Sequence, residues 1–502
     1  MTRRVVRSAV RLMPTRQRRR SKRDELRPCA IRDEWAEFSY DRKSDGVRTS
    51  FERDADRILY SEAFRKLAGK TQVFLAGAHT LVRTRLTHTM EVAQIAKRLA
   101  NMLRLNTRLA EAIALGHDVG HTPFGHAGED ALKHIASGCD NLGGKLPTEC
   151  FPEARRGFKH NLQSVRMLHE LECPYTQHKG LNLSGFVLWG IAQHTDPEWK
   201  DTPCKAPMGC PFNQWGGCRL KDSPQFEVGV YNDVINNVPT PYASVEAFVV
   251  AKADEIAQRH HDLEDAYLAG LMSVDAIRKL ACEALNVEFD ESDGSGDNNG
   301  GPEWVRGRLS RVFVHELMKE LATASKQRLS EFESEHGIHD HSSMRKWLDR
   351  YTEQSIDKVK NLVSYSDEFG KKEQCLRQTL KTTILHSGPV QRMDGKAQFL
   401  LRQLWKAYLS NPQLLPDEVL ERVSRDTKWN WKWKEVWAHV ANGASIARRQ
   451  LAEGVGLEHR EELRAVLARA ICDHIASMTD QEAVEEHQRL YSSHSETVHL
   501  GT

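Results

Sequence analysis

Residues 117–130 concentrate groups that can bind a metal or move a proton. The stretch reads HDVGHTPFGHAGED and holds three histidines, two aspartates and one glutamate, together with three glycines and one proline. Histidine titrates near neutral pH, and imidazole and carboxylate together suit a divalent cation. Glycine and proline favour turns, so the stretch is predicted to begin as a helix and then break. The pattern indicates a reactive site rather than a solvated helix face.

Two more distant residues could complete a metal site. His88 lies on the apolar face of the pattern HTMEVAQIAKRLANMLRL, and His117 ends a second apolar pattern with Asp118 beside it. Asp254 falls in the middle of a long predicted helix, where an unpaired buried acid would be costly. A mixed nitrogen and oxygen set suits a catalytic divalent metal better than a closed thiolate site does. We therefore expect His88, His117, Asp118 and Asp254 to meet.

The elements that must position these residues are helices. Apolar residues recur at helical spacing along most of the chain and strand alternation is scarce, so the fold is predicted to be all-α. Residues 245–270 form one long predicted helix that places Asp254, Gln258 and Asp262 in one sector. The expected organisation is a basic leader at 1–40, a catalytic helical core at 41–286 with an insertion at about 195–225, a flexible loop at 287–303 and a C-terminal helical region at 304–502.

Composition narrows the class of protein. The 502 residues are 40% hydrophobic and 28% charged, as in globular proteins that are not membrane-embedded, and no apolar run is long enough for a transmembrane helix. Ten cysteines without a secretory signal predict a reducing, cytoplasmic environment. Cys204, Cys210 and Cys218 lack a paired CxxC spacing, so a surface insertion is favoured over a zinc site.

Two segments raise the alternative of nucleic-acid binding. Residues 1–23 hold ten Lys or Arg and no acid, which fits a disordered leader, with a nucleic-acid arm or an organellar presequence as alternatives. Residues 428–440 interleave Trp429, Trp431, Trp433 and Trp437 with lysines. Such a pattern can stack single-stranded DNA bases, although packing of lysine stems on indoles is the favoured interpretation. The formal net charge of only +2 does not by itself require a nucleic-acid partner.

The motifs, taken together, resemble one enzyme family. The set H…HD…D is similar to that of HD-domain metal-dependent phosphohydrolases. The closer resemblance is to the deoxynucleoside triphosphate triphosphohydrolases, the dGTPase-like branch, and runs from about Arg53 to Asp480. It is carried by DRILYSEAFRKLAGKTQVF, TRLTHTMEVAQIA, HDVGHTPFGHAGE, ADEIAQRHHDLEDA and ICDHIASMTD.

The resemblance implies an activity and roles for particular residues. The implied reaction is hydrolysis of a dNTP to deoxynucleoside and inorganic triphosphate with Mn or Mg, in a homo-oligomer, by family analogy a hexamer. The metal ligands would be His88, His117, Asp118 and Asp254. The catalytic residues would be His121, His126, Glu129 and His160, with Glu129 as the charge partner of His126. The substrate contacts would be Gln72, Arg85, Asn161, Gln163, Gln258 and Asp262, with Arg53, Arg57, Arg65 and Lys66 as further candidates for the phosphates.

The chain also departs from the family pattern. Gln258 stands where the family usually has a tyrosine. The segment FKHNLQ stands where the family usually reads FEGNAQ, so Lys159 and His160 replace a glutamate and a glycine. His160 coincides with a catalytic histidine of the vertebrate-type relatives. The preferred base therefore stays open, as does the choice between dNTP-pool control and phage defence. The rival hypotheses are another HD-type nucleotidase or phosphodiesterase, and a single-stranded nucleic-acid-binding protein with a degenerate HD site.

Overall fold

The structure, a computed structural model, describes most of the chain. The described residues are 25–72, 83–137, 157–194, 231, 234–235, 237–239, 244–285, 307, 310–350, 354–426 and 460–492. The basic segment 1–24, the cysteines at 204, 210 and 218, the loop at 287–303 and the tryptophans at 429–437 lie outside them. The structure does not describe these segments, so what the sequence predicts for them stays a prediction.

The described chain is helical, and its one β feature is an isolated bridge between Thr71 and Thr84. The predicted all-α fold is confirmed. The first helices are α1 (Ser50–Leu59), α2 (Glu62–Lys66), α3 (Arg85–Leu103), α4 (Thr107–Gly116), α5 (Gly125–Ala136), α6 (His160–Arg166), α7 (Gly185–Gln193) and α8 (Val245–Leu268). They are followed by α9 (Val274–Leu285), α10 (Ser310–Glu335), α11 (His341–Leu348), α12 (Gln354–Lys360), α13 (Asp367–Leu385), α14 (Gly388–Ser410), α15 (Asp417–Asp426), α16 (Arg460–Ser477) and α17 (Asp480–Tyr491).

Side-chain caps explain where the helices that carry the site begin. Thr84 accepts a hydrogen bond from the Thr87 N–H and starts α3, and Asn106 does the same for α4. Ser244 caps α8 through the Ala247 N–H. Helix α3 ends where Arg104 adopts a left-handed conformation, with φ of 58°. These caps fix where α3, α4 and α8 begin.

The helices pack into two main hydrophobic cores. The larger core joins α1, α3, α4, α6, α7 and α8 and extends to α9, α10 and α13. In it α3 packs against both α4 and α8. The second core joins α5 to α14, α15, α16 and α17. Helix α5, which begins within the histidine-rich stretch 117–130, is thus held by the C-terminal part of the chain. Among the described residues, no helix has the length and apolar character needed to cross a membrane.

Candidate active site

Three helices bring four predicted metal ligands together. His88 lies on α3, His117 and Asp118 follow α4, and Asp254 lies on α8. The His88 Nε2 atom is 2.9 Å from Asp254 Oδ1 and 3.8 Å from Asp118 Oδ2. The His117 Nε2 atom is 3.4 Å from Asp118 Oδ1 and 3.9 Å from Asp254 Oδ1. Separations of this size are what ligands around one ion at about 2.1 Å would show.

The hydrogen bonds of His117 leave one ring nitrogen available. Its Nδ1 lies 2.6 Å from the carbonyl oxygen of Ala114 and must donate a proton to it. The Nε2 atom therefore carries a lone pair, and it is buried with no hydrogen-bond partner. A buried acceptor without a donor is costly unless a ligand satisfies it. This atom fits a metal bond toward Asp118 and Asp254.

His88 is oriented by a chain of side chains behind it. Its Nδ1 atom is 3.3 Å from Nδ1 of His261, and Nε2 of His261 is 2.5 Å from a carboxylate oxygen of Glu91. The carboxylate can only accept, so His261 donates from Nε2 and accepts at Nδ1 from His88. His88 then presents a lone pair at Nε2 to the four-residue cluster. Metal-binding histidines commonly have such carboxylate-linked partners.

Asp118 lies at the centre of the cluster as a carboxylate. Arg85 donates to its Oδ2 atom at 2.7 Å, and His121 Nε2 lies 3.2 Å from its Oδ1. Burial alone would raise the pKa of Asp118, but His117 and Arg85 hold it well below its usual range. Arg85 was predicted to contact phosphate. The structure places its guanidinium on Asp118, with only 2% of the residue exposed.

A second layer of histidines adjoins this cluster. The rings of His121 and His160 stack with centroids 3.8 Å apart, and His126 lies 5.6 Å from His121. Glu129 accepts from Nδ1 of His160 at 2.9 Å and from its backbone N–H at 3.2 Å. The hydrogen-bond partner of Glu129 is thus His160. Burial lowers the pKa of His126, and the negative charge of Glu129 acts against this lowering. His126 is the exposed member of the layer.

Close backbone packing makes this layer possible. A Cβ atom on Gly120 would lie 2.2 Å from the Ser164 nitrogen and 2.5 Å from the His160 carbonyl oxygen. Only glycine allows α6 to approach the histidine-rich turn so closely. The Ser164 hydroxyl accepts from the Gly120 N–H at 2.9 Å and lies 2.8 Å from the His117 carbonyl oxygen. The start of α6 is thereby fixed against the turn.

Sequence reasoning missed His194. It follows α7 as His117 follows α4, and its Nδ1 donates to the Ile191 carbonyl at 2.6 Å in the same way. Its ring lies 5.1 Å from that of His117, and burial lowers its pKa to about 3. The signal that could have found it is the shared pattern, a histidine directly after an apolar helix, in IALGH and GIAQH.

The predicted substrate contacts divide into two groups. Gln163 accepts from Tyr231 at 3.0 Å and from Arg469, and it donates to Asp473 at 3.0 Å. These bonds use three of its amide's four hydrogen-bond positions, so the geometry makes Gln163 a link to α16 rather than a free substrate contact. Asn161 donates to the Ala192 carbonyl at 2.5 Å and keeps a buried oxygen without a partner.

The other predicted contacts remain open to a ligand. Gln72 has a buried side-chain oxygen with no partner. Gln258 and Asp262 are half-buried on α8, each one further turn from Asp254. Burial raises the pKa of the Asp262 carboxyl to about 7.

Four basic residues, the remaining candidates for phosphate contacts, line a different cleft. A separate cleft of about 1590 Å³ is lined by residues that include Arg53, Arg57, Arg65 and Lys66, and none of the four clustered metal-ligand candidates lines it. The family resemblance makes these residues candidates for phosphate contacts. Their position in this cleft places them away from the clustered histidines.

The C-terminal helices hold the turn in place. Asp480, at the start of α17, accepts from the Phe124 N–H at 2.8 Å and from the Thr71 hydroxyl at 2.6 Å. Lys70 is buried and donates to the carbonyl oxygens of His121 at 2.5 Å and Ala476 at 2.8 Å. The site therefore depends on contacts between segments more than 350 residues apart in sequence.

Comparison with known proteins agrees with this geometry. Residues 85–259 match the HD domain, and residues 363–442 and 434–489 match the phosphohydrolase-associated domain. The fold and the clustered histidines and aspartates thus define an HD-domain phosphohydrolase, a metal-dependent class of hydrolase.

Curated relatives narrow the class further. A deoxyguanosinetriphosphate triphosphohydrolase-like protein of Brucella ovis is 32% identical over 457 residues, 89% of this chain and 90% of the relative. A like protein of Mesorhizobium japonicum is 31% identical over 460 residues, 90% of this chain and 91% of the relative. One of Caulobacter sp. is 32% identical over 454 residues, 89% and 91% of the two chains. The chain belongs to the deoxyguanosinetriphosphate triphosphohydrolase-like family.

Proposed function

We propose that this protein hydrolyses deoxynucleoside triphosphates to deoxynucleoside and inorganic triphosphate. The observation that carries the proposal is the convergence of His88, His117, Asp118 and Asp254, with both histidine Nε2 lone pairs available. The names of the relatives, deoxyguanosinetriphosphate triphosphohydrolase-like proteins, support the substrate class.

The four residues would hold one divalent metal, Mn or Mg. When bound, the metal would polarise the α-phosphate and lower the pKa of a water molecule. The protein residues do the remaining work. Arg85 keeps Asp118 ionised and oriented through its hydrogen bond of 2.7 Å. His261 fixes the ring of His88, so the ligand set is arranged before substrate arrives.

The histidine layer would move the proton that the leaving group needs. His126 is exposed, next to His121, and so can reach a bound nucleotide. It would donate to the departing 5′ oxygen as general acid. His121, Glu129 and His160 form the buried wall behind it. Glu129 holds the His160 ring in one orientation at 2.9 Å.

The face of α8 beyond Asp254 would hold the sugar. Gln258 and Asp262 follow Asp254 at successive helical turns and share its face. With its pKa raised to about 7, the Asp262 carboxyl can accept from or donate to a 3′-hydroxyl near neutral pH. Gln72 and Asn161 each have a buried oxygen available to a ligand. Arg85 and Gln163 would act indirectly, by positioning Asp118 and α16.

Product analysis tests the proposed reaction. The purified protein is incubated with each dNTP and NTP and with Mn²⁺ or Mg²⁺, and all products are separated. Equal amounts of deoxynucleoside and triphosphate are expected. Monophosphate with pyrophosphate would replace the proposal with the alternative of another HD-type nucleotidase or phosphodiesterase. His126→Ala should keep metal and lose about 100-fold in rate, whereas the exposed His339→Ala should match the unmodified protein.

Gln258 tests how the sugar is held. A tyrosine there would present a flat apolar face to deoxyribose, while glutamine is flexible and can hydrogen-bond. Gln258→Tyr should lower KM for dNTPs several-fold and leave metal content unchanged. Unaltered kinetics for every dNTP and NTP would show that this side chain does not face the substrate.

The cellular setting is proposed by the same reasoning. The protein would act in the cytoplasm as a homo-oligomer, a hexamer by family analogy, in dNTP-pool control or phage defence. Light scattering measures the oligomeric state. Single-stranded DNA would be a second partner if binding weakens steeply with salt, as release of counterions requires; binding that is absent or independent of salt would remove it.

A further inference from the structure

Two buried histidines face each other across the wall of the candidate site. The Nε2 atoms of His160 and His194 are 3.4 Å apart. His160 is 4% and His194 is 5% exposed, so water does not surround them. Neither residue belongs to the four-residue cluster proposed to hold the first metal.

Both rings have their other nitrogen committed as a donor. His160 Nδ1 lies 2.9 Å from a carboxylate oxygen of Glu129, and His194 Nδ1 lies 2.6 Å from the Ile191 carbonyl oxygen. Neither oxygen can donate, so each imidazole carries its proton on Nδ1. Each Nε2 of a neutral ring is then a lone pair. Two lone pairs directed at each other form no hydrogen bond, so the arrangement becomes favourable with either an added proton on one Nε2 atom or a cation between the two rings.

A carboxylate completes the set. Asp118, His160 and His194 each present a ligand atom, and these three atoms lie within 4.8 Å of one another, all in buried residues. Two nitrogens bound to one ion at about 2.1 Å in tetrahedral geometry are about 3.4 Å apart. The observed His160–His194 distance of 3.4 Å matches this value. The donor set is two imidazoles and one carboxylate, a combination found at catalytic metal sites with an open position.

The surroundings fix these ligands in place. Glu129 behind His160 makes the carboxylate–histidine arrangement that commonly supports a metal ligand. Gly120 allows the start of α6 to approach the turn that carries Asp118. His194 is held at the end of α7, with its ring 5.1 Å from that of His117. The two histidines therefore occupy positions that the backbone determines.

We propose that Asp118, His160 and His194 bind a second divalent cation, adjacent to the first. The two centres would share only Asp118, whose carboxylate would bridge the two ions. The inference goes beyond the proposed function, since a single-metal enzyme would need neither His194 nor its contact with His160. Two adjacent cations would let the site clamp the attacking and the leaving oxygens of one phosphate group. His126 remains free to serve as the general acid.

Metal stoichiometry tests the second site without any substrate. The full-length protein is stripped with a chelator, reloaded with excess Mn²⁺, desalted and measured by elemental analysis. Two Mn per chain are expected for the unmodified protein and for the surface control His339→Ala. One is expected for His194→Ala and for the bulkier His194→Gln, which guards against a folding defect in the first variant; circular dichroism checks both.

Electron paramagnetic resonance supplies a second readout. Two Mn²⁺ ions bridged by the Asp118 carboxylate should give an exchange-coupled signal, which His194→Gln should convert to the six-line signal of an isolated ion. One Mn per chain in the unmodified protein would overturn the second site and leave the first intact. Two Mn per chain in both His194 variants would also overturn it, because the second ion would then lie elsewhere. No bound metal at all would overturn both centres.

Discussion

The histidine cluster around Asp118 and the contact between α6 and α16 are both buried polar networks. They differ in whether their buried polar atoms have hydrogen-bond partners. In the contact with α16, Asp473 accepts from Arg166, Arg469 and Gln163 at 3.0–3.2 Å, and its carboxylate is fully enclosed. In the histidine cluster, by contrast, His117 Nε2 and His121 Nδ1 are buried without any partner.

This difference separates a structural network from a site that awaits a ligand. A buried polar atom costs free energy unless something pairs with it, so an evolved core rarely leaves several such atoms together. The bonds of Asp473 are complete, and the network needs nothing more than the protein itself. The histidine cluster becomes complete only when a cation or a substrate is added. Unpartnered atoms, more than the number of charges, mark the functional region.

Removing the charge of the central carboxylate should affect the two networks differently, at Asp118 in the histidine cluster and at Asp473 in the contact with α16. Asp118→Asn keeps the shape of the side chain but removes the charge that three histidines and Arg85 surround. Because the metal supplies several kcal/mol of transition-state stabilisation, turnover should fall by about 1000-fold or more. Bound metal should fall with it, and helical content should stay. Near-normal activity after chelation and repurification would show that Asp118 is not a metal ligand.

Asp473→Asn should have the opposite profile. It leaves the buried Arg469 without its carboxylate partner and the half-buried Arg166 with Glu170 alone, and an uncompensated buried charge typically costs about 3–5 kcal/mol of stability. Metal content of the folded fraction should not change. The exposed Arg489, whose side chain is 70% exposed beside Glu485 and Glu486, provides the control: Arg489→Ala should shift the free energy of unfolding by less than about 0.5 kcal/mol. Loss of metal from folded Asp473→Asn would contradict the separation of the two networks.

Patterns of neighbouring residues predicted the features that depend on local sequence, namely the helices and the candidate metal ligands on them. Helical periodicity gave the all-α fold, which is confirmed, and the spacing of His88, His117-Asp118 and Asp254 on apolar helices placed together four residues that the structure also brings together. Their roles as ligands stay predictions. The family resemblance implies Glu129 as the charge partner of His126. The structure pairs Glu129 with His160, which is 31 positions away.

The remaining features depend on which helices and turns pack against each other. No pattern of neighbouring residues encodes this. His194 is significant only because α7 ends beside His117, and Gln163 is engaged because α16 returns to α6 from a distance of 310 positions. The packing at Gly120 depends on which backbone lies opposite it. Such contacts follow from the tertiary arrangement, so sequence reasoning named Gln163 without its partners and missed His194.

Glu246 is an intermediate case between the two networks. One of its oxygens accepts from the backbone N–H groups of Ile31 and Asn106, both at 3.0 Å, and the other has no partner. Burial raises its pKa from 4.5 to about 7. The protonated form is therefore the stable one in the fold. Its contribution to stability is complete below pH 4.5 and is lost as the pH rises through about 7.

Glu246→Gln should remove this pH dependence. The difference in unfolding free energy between the unmodified protein and the variant should change by up to about 3 kcal/mol between pH 4 and pH 8, in favour of the variant at the higher pH. Denaturant titrations at several pH values measure it. A difference that stays constant with pH would mean that the fold leaves the pKa of Glu246 at its ordinary value, and burial would then not favour the protonated form.

The smallest expected effect lies in the chain of side chains behind His88. His261→Asn removes the acceptor that fixes the His88 tautomer, and loss of such a partner typically weakens metal affinity by about 10–100-fold. Glu91→Gln should weaken it less, because an amide oxygen still accepts from His261. The adjacent His260 is the control: it pairs with Glu264 at 3.0 Å, so His260→Asn should leave metal affinity unchanged. Competition with a chelator of known affinity measures all three. Equal losses in the His260 and His261 variants would mean that the helix, not the hydrogen bond to His88, determines the affinity.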